Sequence, residues 1–306
     1  MNAASQDVQP QLGKATAGPG WILPVTPLFA LPAATIMLRN RMEPWQFMWA
    51  LSFAIFAGLK WMTWWTTSAR ATASATRSLA YLVAWPGMDA ETFLDADRRA
   101  VRPRVQEWLW AATKTAVGIG LLWAVARRIP AEYSLLRGWV GMLGLIFLLH
   151  FGSFHLIALF WQAMGLDAQP IMAKPILSRS LAEFWGKRWN LGFRQLAHEF
   201  IFRPAQKRVG VTAASLLVFL ASGLIHDLVI SVPARGGYGL PTAYFLVQGI
   251  GVMFERSALG RSIRLQNAVT GRIFALAITA APAFWLFHPP FVLRVMVPFM
   301  RAIHAL

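Results

Sequence analysis

One histidine lies inside a stretch that reads as lipid-soluble, VTAASLLVFLASGLIHDLVI (Val211–Ile230), and an aspartate follows it directly. A helix of about this length crosses ~30 Å of hydrocarbon. Both His226 and Asp227 cost free energy there, and ionisable groups inside a membrane helix mark function or a partner across a helix interface. An imidazole can take a proton from a hydroxyl or pass one along a relay. At 100° per residue, Thr212, Ser215, Phe219, Ser222 and Gly223 fall on the His226 face, whereas Leu216, Leu217, Leu220 and Ile225 lie largely elsewhere. Two descriptions fit this small, polar face. It is a packing surface that lets another helix come close, or it lines a polar cavity with His226 as a reactive base.

The other candidates offer less. His150 and His155 are five residues apart and diverge by about 140° on a helix, too far to chelate one metal ion. His198 sits beside Glu199 in a polar segment, His288 precedes Pro289 and Pro290 at a span boundary, and His304 is close to the C-terminal residue. With no cysteine there is no thiol nucleophile, disulfide or zinc ribbon. No Gly-rich phosphate loop, HExxH or GxSxG occurs, so NTPase, zincin and α/β-hydrolase chemistry have no support.

The elements that must hold these residues are membrane helices. Of the 306 residues, 57% are hydrophobic and 14% charged, against about a quarter charged in a soluble domain. Apolar runs recur at 43–62, 107–126, 138–164, 211–231, 241–255 and 272–287, with a last one at 288–306. The expected fold is an all-α, polytopic transmembrane helix bundle of about 7–9 spans with interfacial amphipathic helices, forming one membrane-embedded domain over 21–306. Residues 1–20 are small and polar and read as a disordered tail. Pro24, Pro27 and Pro32 should distort the apolar segment 21–38 into a broken or re-entrant helix.

The net charge of +16 reflects topology rather than nucleic-acid binding, because the basic residues sit between apolar spans. Segments 60–104, 174–208 and 256–272 hold most of the 29 Lys and Arg, which turns those loops and the N-terminus to the cytoplasm and its anionic lipids. Arg39, Arg41, Arg127, Arg128 and Arg137 then fall on the opposite side, against the rule. Within 174–208, Ser180 followed by Glu183 predicts a capped helix that runs to Pro204. Leu181, Trp185 and Trp189 should share one apolar face of it, with Lys187, Arg188 and Arg194 alongside, as in a helix lying at the membrane interface.

FWGKRWN (Phe184–Asn190) followed by SGLIHDL (Ser222–Leu228) resembles the paired signature of the membrane-bound O-acyltransferase family, in its wax-synthase-like branch. YLVAWPGMD (Tyr81–Asp89) and WLFHPPFVLRVMVP (Trp285–Pro298) are similar to that branch as well, so the resemblance runs from about residue 77 onward. Asp227 departs from the pattern, because the branch usually has glutamate after the histidine. The resemblance implies a central tunnel in which an acyl group passes from acyl-CoA, the donor substrate, to the hydroxyl of a lipophilic alcohol, with no further cofactor. It implies His226 as base and Asn190 as its partner, with Trp185, Trp189, Ser222 and Asp227 among the substrate-binding residues.

The chemistry agrees with these roles. A neutral imidazole suits removal of a hydroxyl proton, and an amide can donate to a tetrahedral oxyanion without adding charge. Lys187, Arg188 and Arg194 are placed to meet coenzyme A phosphates. Asp227, about 100° around the helix from His226, reads as a residue that orients a neighbouring helix. Other outcomes stay open at this point. The donor could be acetyl-CoA, or the acceptor a sterol, terpenoid or glycolipid. A proton-coupled transporter would use the same two ionisable residues. The expected location is an integral, multi-pass protein of the inner membrane in a bacterium or of the endoplasmic reticulum in a eukaryote.

Overall fold

A computed structural model describes residues 22–306, so the tail expected over 1–20 lies outside the described residues. Every regular element among them is helical. Among the described residues four stretches are long and apolar enough to cross a membrane: Val105–Arg128, Ala131–Ala163, Leu191–Ala234 and Ala268–Leu286. The runs expected at 43–62 and 241–255 are the helices Pro44–Thr66 and Leu240–Arg256, both packed within the bundle.

The first apolar segment forms one continuous helix, Ile22–Met37, with Pro27 and Pro32 inside it. That differs from the broken segment expected from its prolines. Pro27 has no N–H for the Leu23 carbonyl one turn earlier, and in lipid such an orphan would be costly. The Trp61 indole donates to that carbonyl at 3.2 Å. Gly58 lets the two helices meet closely, since a Cβ there would lie 2.4 Å from the Leu28 Cα. At Pro27 a neighbour thus supplies the bond that the helix's own ladder lacks.

The WPGMD segment is tied to Pro44–Thr66 by buried polar contacts. Lys60 is almost fully buried; its Nζ donates to the Gly87 carbonyl at 2.8 Å and sits 3.1 Å above the Tyr81 ring. The Tyr81 hydroxyl lies 2.7 Å from Thr63 Oγ1 and 3.1 Å from the Met88 carbonyl. A lysine counted among cytoplasmic charges is thus spent inside the bundle, compensated by a carbonyl and an aromatic face.

Val105–Arg128 and Ala131–Ala163 meet along glycines, and both widen into π turns, at Gly120–Val125 and Ile146–Ser153. Lys114 Nζ and His155 Nδ1 join them at 2.8 Å. A Cβ on Gly118 would approach the Leu148 backbone nitrogen to 2.4 Å, whereas one on Gly120 would meet nothing within 4 Å. Backbone cannot yield as a side chain can. Gly118→Ala should therefore lower stability by about 1–3 kcal/mol, while Gly120→Ala should be neutral or stabilising by about 0.5–1 kcal/mol. Thermal unfolding of the two variants in the same detergent checks the contrast.

Candidate active site

His226 is the last residue of the helix Arg203–His226, directly before a π turn over Asp227–Ser231. Its Nδ1 lies 2.7 Å from the Ser222 carbonyl one turn earlier. A carbonyl can only accept, so Nδ1 carries the ring proton and the Nε2 lone pair is left exposed. Nε2 makes no hydrogen bond among the described residues. The Phe245 ring covers the imidazole at a centroid distance of 4.4 Å. The bond to Ser222 and the Phe245 contact restrict rotation of the imidazole and leave one nitrogen without a partner among the described residues.

Phe245 belongs to Leu240–Arg256, and this helix joins the two motifs. At its N-terminus Asp227 accepts from Gly239 N at 2.9 Å, from Thr242 N at 3.0 Å and from the Thr242 hydroxyl. The other first-turn donors are accounted for: Leu240 N bonds the Gly237 carbonyl at 3.1 Å, Ala243 N the Gly239 carbonyl at 2.8 Å, and Pro241 has none. A carboxylate at a helix N-terminus also meets the positive end of the helix dipole. Gly223 allows the two helices to approach, because a Cβ there would lie 2.7 Å from the Thr242 Cα. Phe219 packs at Gly249 and against Trp185 at 5.8 Å between rings. The small face of the His226 helix is thus a packing surface at Phe219 and Gly223, with the unbonded Nε2 edge of His226 beside it.

Further along the same helix, Gln248 Oε1 accepts from the Trp185 indole at 3.3 Å and Glu255 accepts from Leu181 N. Trp185 also packs on Phe245 at 5.7 Å. FWGKRWN is thereby brought to His226 through one shared phenylalanine.

Locally this segment departs from the expected interfacial helix. Ser180 does cap Glu183 N at 2.9 Å, but Glu183 reaches Arg179 N at 2.7 Å and Arg188 Nη2 at 2.6 Å. The Arg179 amide, with help from Arg188, holds the Glu183 carboxyl below its usual range. After a π turn over Phe184–Arg188, Trp189 is extended and Asn190 left-handed at φ 45°. Trp185 and Trp189 therefore part: Trp189 stacks on Phe184 at 5.4 Å and meets Phe151 at 6.2 Å. Pro204 stands in the first turn of Arg203–His226 and opens that helix rather than closing the preceding one.

Asn190 starts the helix Leu191–Ala197, with its Oδ1 accepting from Phe193 N at 3.5 Å. Its Nδ2 has no hydrogen bond among the described residues. Phe193 and Leu196 of that helix pack in one cluster with Leu228, Val229 and Val232, so the Asn190 helix and the turn after His226 share a core. Gly192 lies against Met88 of WPGMD, where a Cβ would come within 3.1 Å of the Met88 nitrogen. Lys187 and Arg194 are exposed, whereas Arg188 is paired with Glu183 and bonds the Ala173 carbonyl at 3.2 Å. Ser222 contributes its carbonyl to His226. Beside Asp227 a mainly apolar groove of about 580 Å³ runs along Leu224, Leu228, Ala243 and Leu246.

Ser231 and His288 also join the site: Ser231 lies outside the quoted motifs, and His288, although inside WLFHPPFVLRVMVP, reads from the sequence only as a residue at a span boundary. Ser231 donates to Asp227 Oδ1 at 2.8 Å and lies 3.2 Å from His288 Nε2. The i, i+4 spacing of Asp227 and Ser231 was a usable signal; the approach of His288 was not.

Asp227→Asn would turn an NH₂ toward N–H donors of Gly239 or Thr242. It should cost about 1–3 kcal/mol of stability. It should also speed amide exchange at Gly239 and Thr242, which thermal unfolding and hydrogen-exchange mass spectrometry would register.

Residues 168–247, which contain both motifs, match the Membrane bound O-acyl transferase family. The chain is 29% identical over 142 residues to a long-chain-alcohol O-fatty-acyltransferase of Simmondsia chinensis, covering 42% of this chain and 40% of that protein. It is 30% identical over 145 residues to the probable long-chain-alcohol O-fatty-acyltransferase 9 of Arabidopsis thaliana, covering 43% and 42%. An acyl-CoA–sterol O-acyltransferase 1 of Arabidopsis thaliana is 27% identical over 138 residues, covering 41% and 39%. The chain thus spans about 40% of the length of the curated relatives it matches. Residues 168–247, which carry both motifs, are thus similar to the membrane-bound O-acyltransferase family, and the relatives are named for acyl transfer to long-chain alcohols or to a sterol.

Proposed function

We propose that the chain transfers an acyl group from acyl-CoA to the hydroxyl of a lipophilic alcohol, with His226 as general base. The observation that carries this is the state of the imidazole: Nδ1 is engaged by the Ser222 carbonyl, Nε2 is free, and Phe245 joins the ring to the FWGKRWN segment. As the alcohol oxygen attacks the thioester carbonyl carbon, Nε2 takes the hydroxyl proton. The tetrahedral oxyanion then collapses, the C–S bond breaks, and the coenzyme A sulfur leaves with that proton from the imidazolium. The Asn190 amide, free at Nδ2, is the donor assigned to the oxyanion. A thioester is already activated, so two neutral groups suffice for this route.

Lys187 and Arg194 are the exposed cations assigned to the coenzyme A phosphates; Arg188 reaches that role only by leaving Glu183. Trp185, Trp189, Ser222 and Asp227 shape the site through the contacts described above. The bundle is proposed to use 7–9 spans around a central tunnel, with surrounding lipids completing its surface. The names of the relatives support two acceptor classes, long-chain alcohols and sterols. A long-chain alcohol is favoured by the number of relatives named for it and by the apolar groove beside Asp227.

Membranes containing the protein, given labelled palmitoyl-CoA or acetyl-CoA with hexadecanol or a sterol, should form labelled wax ester from palmitoyl-CoA. His226→Ala should lower the rate by about 10²–10⁴-fold, the usual contribution of a general base. Ester formation at the wild-type rate in that variant would remove His226 from the mechanism. Acetyl esters alone would reassign the donor.

A further inference from the structure

His288 is fully buried, and both of its ring nitrogens are engaged. Nδ1 accepts from Phe291 N at 3.2 Å, so the ring proton sits on Nε2 and points to Ser231 Oγ at 3.2 Å. Ser231, also fully buried, can give its own proton to Asp227 Oδ1 at 2.8 Å or to the Gly237 carbonyl at 3.3 Å. The shorter, charge-assisted bond wins. The donors therefore run in one direction, His288 to Ser231 to Asp227, and end on the carboxylate that caps Leu240–Arg256.

The loop before that helix rests on the same imidazole. A Cβ on Gly237 would lie 2.4 Å from the His288 ring, and Gly237 has φ +71°. Arg294 Nη1 holds the Ala234 and Arg235 carbonyls at 3.1 Å each. The start of Leu240–Arg256 thus depends on a histidine and an arginine from the C-terminal segment. Phe245, which lies on the His226 ring, follows the capped Gly239 and Thr242 by less than two helical turns.

We propose that Ser231 and His288 are positioning residues for His226: by orienting the Asp227 carboxylate they fix the helix Leu240–Arg256, and with it Phe245 against the catalytic imidazole. Neither touches the reacting atoms. Their effect is on how often Nε2 faces the acceptor hydroxyl, so their loss should lower kcat and leave KM for palmitoyl-CoA nearly unchanged. The proposal rests on the acyl-transfer reading for its kinetic half only, since the packing of Phe245 on His226 is measurable without turnover.

Three variants separate this role from general support. Ser231→Ala removes the hydroxyl from a small buried site. His288→Asn keeps an acceptor for Phe291 N–H but loses the donor to Ser231. His288→Gln places a donor near the original Nε2. Ser231→Ala and His288→Asn should each lower kcat about tenfold, the worth of one hydrogen bond of ordinary strength. The double variant should fall no further than either single one, and His288→Gln should recover most of the rate. In detergent, NMR of histidine-labelled protein should show the His226 Cε1 proton moving out of the Phe245 ring current in the first two variants and staying in His288→Gln. An unmoved His226 signal in Ser231→Ala, or additive losses in the double variant, would overturn the proposal. If His288→Asn fails to fold, Ser231→Ala alone decides it. Absence of acyl transfer by the wild type would defeat the functional reading while the NMR comparison still judges the positioning role.

Discussion

The structure around His226 depends on one charge: the Asp227 carboxylate at the start of Leu240–Arg256. A half-buried carboxylate in an apolar bundle is costly unless donors surround it. Here four donors do so: the backbone nitrogens of Gly239 and Thr242 and the hydroxyls of Thr242 and Ser231. In return the carboxylate fixes where the helix begins. Every later contact of that helix follows from its start, with Phe245 on His226, Gln248 on Trp185 and Glu255 on Leu181. Two motifs far apart in sequence are measured against one rigid element. The aspartate beside the histidine is thus a structural anchor one residue removed from the proposed chemistry.

The same rule governs several other polar groups of the bundle. Lys60 is answered by the Gly87 carbonyl and the Tyr81 ring, Lys114 by His155, and the carbonyl orphaned by Pro27 by the Trp61 indole. Where a medium offers no water, each donor or acceptor needs a protein partner. Among the described residues the Nε2 of His226 shares its lack of a partner with the buried Trp49 Nε1, Trp64 Nε1 and His150 Nδ1; what sets it apart is the Phe245 contact that ties its ring to FWGKRWN. π turns recur at the places where helices meet the site, at Ile146–Ser153, Phe184–Arg188 and Asp227–Ser231. Such turns are frequent at functional sites because they reorient side chains without ending the helix.

Much of this was legible in the sequence where short-range physics decides. Periodicity identified the His226 face, and Phe219 and Gly223 do lie against the neighbouring helix. Ser180 announced a helix start, and the position of Asp227 beside His226 pointed to a neighbouring helix. Where long-range contacts decide, sequence reasoning fell short. Helical spacing put Trp185 and Trp189 on one face, but the π turn over Phe184–Arg188 and the extended Trp189 send them apart. Arg188 looked like a free cation until Glu183, five residues earlier, claimed it. The proline helix Ile22–Met37 survives because Trp61 supplies a bond that no local rule anticipates. His288 sat in a recognisable motif, but nothing local pointed to its pairing with Ser231, which is distant in the chain.

The central claim is that the fold presents His226 with its proton held on Nδ1 and its Nε2 lone pair available. Nitrogen-15 NMR of histidine-labelled protein in detergent, with His226→Gln used to assign the signal, tests this most directly. The account predicts a neutral ring at pH 8 with a protonated Nδ1 and an Nε2 shift typical of an unprotonated, acceptor nitrogen. A ring protonated on Nε2 would contradict it, because the nitrogen assigned to take the hydroxyl proton would already be occupied.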